Sequence, residues 1–116
     1  MPRQNKMRNM DKKSIDPIKN EVTKIFNGLR YRPSGNIDQT ILEKVHQIQP
    51  RLRRNLKYRD PKLLVPLIIY VYFRLFGYYL DKSQLLRVSY ISKADFIIFL
   101  KQLYKYLSER FSKGDI

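Results

Sequence analysis

The sequence predicts an all-α domain, with five helices of which the third is the buried centre and the other four pack about it. Three observations carry that prediction. Apolar residues recur at the three- and four-residue spacing of a helix face through most of the chain. Asp-Pro and Ser start signals stand immediately ahead of these stripes. The one alternating stretch, "YYLDKSQLLRVSY", contains stronger helix signals than strand signals.

Helix 1 opens at Asp16, whose carboxylate can accept from the free N–H groups of a first turn, with Pro17 where a missing N–H costs nothing. Ile18, Val22, Ile25, Phe26 and Leu29 form its stripe, Gly28 is its expected stop, and "RPSG" (Arg32 to Gly35) is a loop. Helix 2 starts near Asn36 or Asp38. Its near-heptad stripe of Ile37, Ile41, Val45, Ile48, Leu52 and Leu56 runs on through Tyr58, with a kink or break expected at Pro50. Helix 3 repeats the Asp-Pro signal at Asp60-Pro61 and runs to Phe76, with Gly77 as its stop and a bend expected at Pro66. Its expected core positions are Ile68, Tyr70, Val71 and Leu75.

Helix 4, about Lys82 to Ser89, turns Leu85, Leu86 and Val88 inwards. Ser92 caps helix 5, and "SKAD" supplies the Ser-x-x-acid arrangement that reinforces such a start. Phe96, Phe99, Leu100, Leu103, Tyr104 and Leu107 form the last stripe, which continues towards Phe111. The expected organisation is a flexible basic arm over 1–13, one helical domain over 14–112 and a short tail over 113–116.

Order and spacing together resemble the cyclin box, in the form of a single cyclin repeat of transcription factor IIB and its archaeal counterpart, transcription factor B. The resemblance is best over "DPKLLVPLIIYVYFRLFGYYLDKSQLLRVSYISKADFIIFLKQL" (Asp60 to Leu103). It implies a cyclin-box-like bundle whose central helix is followed by a helix-turn-helix-like pair. It also implies a role in transcription, or in replication initiation, where related modules serve. In such a pair the start of the second helix enters the major groove. Here that start offers Lys93, whereas Ile97 and Phe99 suit packing rather than base contact.

The charge points to the partner. The chain has 24 Lys and Arg against 10 Asp and Glu, a formal net charge of +14. A field that one-sided favours a polyanion: nucleic acid, an anionic membrane face or an acidic protein. The apolar run Leu63 to Phe73 is too short for a span of about 20 residues, so no membrane partner is expected. The N-terminus has no apolar run of the secretory kind, and an intracellular location is expected.

Ten of the 24 cations fall in two stretches, with Asp11 as the only acid within them. Arg51, Arg53, Arg54, Lys57 and Arg59 form one, and the arm with Arg3, Lys6, Arg8, Lys12 and Lys13 the other. Guanidinium groups match phosphate oxygens two at a time, so these residues and Lys93 are the expected contacts to duplex DNA. If the chain is helical there, Arg53, Arg54 and Lys57 share one face. The other expectation is an adaptor that meets an acidic surface of a polymerase, kinase or replication factor.

Catalysis has little to work with. There is no cysteine, no Gly-rich phosphate loop, no metal-ligand spacing and no nucleophile beside a base, so neither an enzyme nor a cofactor is expected. The lone His46 stands beside the helix 2 stripe as a boundary residue. Tyr70, Tyr72, Tyr78, Tyr79, Tyr90, Tyr104 and Tyr106 mostly follow apolar stripes and are expected at core edges.

Overall fold

The structure, a computed structural model, describes residues 16–29 and 35–113. The basic arm, with Arg3, Lys6, Arg8, Lys12 and Lys13, and most of the "RPSG" loop lie outside the described residues. Five α-helices follow in order: α1 Pro17–Gly28, α2 Ile37–Ile48, α3 Pro61–Leu75, α4 Lys82–Ser89 and α5 Lys93–Lys113. No strand occurs among the described residues. The all-α prediction is met, and α3 packs against each of the other four helices.

Four start signals act as their chemistry requires, whereas Asn36 ahead of α2 makes no side-chain cap. Asp16 Oδ1 accepts from the N–H of Ile18 at 3.0 Å and of Lys19 at 3.3 Å. Asp60 Oδ1 accepts from Lys62 at 3.0 Å, Asp81 Oδ1 from Gln84 at 3.2 Å and Ser92 Oγ from Asp95 at 3.1 Å. The other oxygen of Asp16 meets His46 Nε2 at 3.0 Å, so the histidine at the edge of α2 ties that helix to the start of α1.

Burial acts to raise the Asp16 pKa, but the His46 hydrogen bond, the two backbone N–H groups and the His46 charge together hold it below the ordinary aspartate value. A carboxyl lowered in the folded state contributes stability above its unfolded pKa and loses it as pH falls through the folded value. Asp16→Ala should therefore cost about 1 kcal/mol at neutral pH. Urea unfolding should show that difference closing as the pH drops below about 4.

The core runs from α1 through α3 to α5. Ile25, Ile41, Leu64, Ile69, Phe73, Leu85, Phe96 and Leu103 are all completely buried. The rings of Phe26 and Phe73 lie 6.2 Å apart, and Tyr70 meets Phe96 edge-on at 5.3 Å, which joins α3 to α1 and to α5. Pro66 is accommodated inside α3 and buried there. Leu75 departs from expectation: it is 74% exposed, while Ile68 and Val71 are buried.

Gly28 ends α1 where the stop is expected and serves a second purpose. It is the last residue of α1 without a positive φ, and a Cβ built there would stand 2.5 Å from Val88 Cγ1 of α4. Gln84 Nε2 donates to the Gly28 carbonyl at 2.9 Å, pinning the same close approach. Valine has little rotamer freedom with which to yield. Gly28→Ala should lower the unfolding free energy by about 1–2 kcal/mol, overpacking outweighing the gain in helix propensity. A fall in the urea midpoint at constant m-value is the measurement.

Candidate nucleic-acid interface

Helix 2 does not reach the arginines. Pro50 has no N–H to donate to His46 and its ring crowds that carbonyl, so α2 ends at Ile48. A 3-10 turn over Gln49–Arg51 follows, then extended Leu52, a turn, and a second 3-10 turn over Lys57–Arg59. Arg53, Arg54 and Lys57 therefore do not share a helix face. They ride on a loop whose buried Leu52 and Tyr58 take the places the stripe had assigned to a longer helix.

A reciprocal clasp closes this loop. Gln49 Nε2 donates to the Arg59 carbonyl at 2.9 Å, and Arg59 Nε donates to the Gln49 carbonyl at 3.2 Å. Arg59 is half-buried and its Nε is committed to the loop's own backbone, so it is a brace before it is a contact. Arg51, Arg53, Arg54 and Lys57 are exposed.

The loop lies against α5, with half-buried Leu56 set between two open clefts. One, of about 340 Å³, is lined by Arg51 and Arg53 from the loop and by Gln102, Lys105, Tyr106 and Glu109 from α5. The Tyr106 hydroxyl donates to the Arg51 carbonyl at 3.4 Å, holding the two walls together. Tyr58 forms part of the floor, its ring 6.3 Å from that of Phe99. Burial pushes the Tyr58 phenol above its ordinary pKa, Tyr106 adds to the rise and Arg53 opposes it, so the floor is neutral. The other cleft places Lys57 and Asn55 opposite Asp95, Ile98 and Phe99. Arg54 lines neither cleft, and Lys93 is exposed at the start of α5.

Among the described residues, Arg51, Arg53, Arg54, Lys57 and Lys105 form no ion pair. Their charge is therefore available to an outside anion. Arg51, Arg53 and Lys105 converge on one cleft against the single carboxylate of Glu109, a geometry suited to phosphate oxygens. Lys105, Gln102 and Tyr106 were not among the expected site residues. The signal for them was the cationic spacing of Lys101 and Lys105 on the face of α5 away from its stripe.

A second surface is apolar. Ile68, Val71, Tyr72, Leu75 and Phe76 of the α3 end, Ile48 of α2 and Leu107 of α5 line an open groove of about 470 Å³. Phe76 is 59% exposed, and Tyr79, Tyr90 and Tyr104 are exposed as well, so these three tyrosines are not the core-edge residues their spacing suggests, whereas Tyr78 lays its ring against buried Phe73. Among the described residues no helix is long and apolar enough to cross a membrane, and no three His, Cys, Asp or Glu gather as a metal site. No protein family, curated protein or solved structure matches the chain.

Proposed function

We propose that the chain is a nucleic-acid-binding protein, not an enzyme, that holds duplex DNA by its phosphates along the 49–59 loop and the adjoining face of α5. The observation that carries this reading is the convergence of Arg51, Arg53 and Lys105, none of them ion-paired, on one open cleft. Exposed Arg54 and Lys57 add to the positive surface of the same loop, and the net charge of +14 supplies the long-range attraction. The order of the helices, with a nearly all-apolar third, a short fourth and a fifth opening after Ser92, supports a cyclin-box-like bundle of the transcription factor IIB type. The corresponding role is intracellular, in transcription or replication.

The test is the affinity of the purified protein for unrelated duplex DNAs, followed by fluorescence anisotropy over a range of salt. Phosphate binding requires an affinity that falls steeply with salt and differs little between sequences. Absence of retention at low salt would overturn the reading. The apolar groove beside α3, with Lys44 and Glu43 at its polar edge, favours the second reading, a protein-interaction adaptor.

A further inference from the structure

The turn between α4 and α5 holds an aromatic side chain outside the core. Ile91 N–H donates to the Leu86 carbonyl at 3.3 Å and Tyr90 N–H to the Arg87 carbonyl at 3.4 Å, the closure that ends a helix with one left-handed residue. That residue is Tyr90, at φ 58. Glycine is favoured there because a Cβ crowds the backbone in the left-handed region. The matching position after α3 is Gly77, at φ 71, and Tyr90 is the one non-glycine residue with positive φ among those described.

The strain is not offset by burial, since Tyr90 is 88% exposed. Its ring meets the Lys24 ammonium of α1 at 5.7 Å from the centroid, and Lys24 in turn lies 3.3 Å from Glu21 Oε2. Exposed Arg87 and Lys93 stand three residues to either side of it in the chain. α5 begins three residues beyond Tyr90, and its first turns contribute Asp95 and Ile98 to the cleft that holds Lys57 of the basic loop. The strained aromatic and the basic loop thus adjoin the same end of one helix.

We propose that Tyr90 is a stacking platform for an unpaired nucleobase, with Arg87 and Lys93 serving the phosphates that flank it. The inference rests on the nucleic-acid reading and sharpens it: the preferred ligand is DNA in which a duplex adjoins an unpaired stretch. Every base offers a π-face, so stacking on an exposed ring needs no sequence.

The experiment compares a blunt duplex with the same duplex carrying a single-stranded extension. The wild-type protein should bind the extended DNA more tightly. Tyr90→Gly removes the ring and relieves the left-handed strain, so it should stay folded by circular dichroism. It should bind the blunt duplex as before and lose roughly 5- to 100-fold on the extended one. The chain has no tryptophan, so Tyr90→Trp carries a single reporter, whose emission should be quenched by the extended DNA and not by the blunt duplex. Equal wild-type affinity for the two DNAs, an undiminished preference in Tyr90→Gly, or unchanged Tyr90→Trp emission at saturation would each overturn the stacking site and leave the phosphate reading standing. Failure of the wild-type protein to bind either DNA at low salt would remove both.

Discussion

Phe73→Ala is expected to lower the unfolding free energy by about 3–5 kcal/mol, the range for deleting a fully buried aromatic ring. Phe73 is completely buried on the central helix, with the Phe26 ring at 6.2 Å on one side and Tyr78 edge-on at 5.5 Å on the other. It also belongs to the end of α3, where Tyr78 N–H donates to the Phe73 carbonyl at 2.9 Å and Gly77 takes the left-handed conformation. The contact between Phe73 and Tyr78 is the apolar clasp that accompanies such a helix end, so truncation removes core packing and end closure together. Against a typical domain stability of about 5–15 kcal/mol, that is a large fraction. Urea unfolding should show the midpoint falling far more than for Phe73→Leu, whose loss should be roughly 1–2 kcal/mol. A loss below about 1 kcal/mol for Phe73→Ala would mean that α3 is not the packed centre.

The helices were legible because their causes are local. Asp16-Pro17, Asp60-Pro61 and Ser92 each place a side-chain oxygen beside the free N–H groups of a first turn, and the stripes that follow are the buried faces. The loop over 49–59 was not legible in full, because Leu52 and Leu56 keep helical spacing while the chain is no longer helical. Apolar spacing reports which side chains turn inwards, and an irregular loop can turn Leu52 and Leu56 inwards as well as a helix can. The Gln49–Arg59 clasp that fixes this loop joins each side chain to the other's carbonyl across ten residues and has no signature in the local pattern.

The same limit governs the site. Arg51, Arg53, Arg54 and Lys57 stood out by density alone, but Lys105 lies far along the chain and only the packing of α5 on the loop brings it to the cleft. Leu75 kept the period of α3 and yet is exposed on an open groove, because periodicity does not say how closely the neighbouring helices pack. Tyr90 was assigned to a core edge by its place among apolar residues, and its left-handed backbone came from the helix closure, which spacing does not encode.

The central claim is that the cleft between the loop and α5 holds DNA phosphates. Its most direct test is the salt dependence of duplex binding in the triple variant Arg51→Ala, Arg53→Ala, Lys105→Ala. These side chains face the open cleft rather than the core, so the variant should unfold near the wild-type urea midpoint. Each lost phosphate contact should remove about 0.9 from the slope of log affinity against log salt, so the triple change should flatten it by about two to three units. The weakening should be similar on unrelated sequences, because phosphates carry no base information. A control lacking Lys19, Lys44 and Arg74, all exposed and outside the cleft, removes the same charge and should flatten the slope much less. A folded cleft variant whose slope matches that of the control would contradict the account and leave the cations of the loop as a solvated surface.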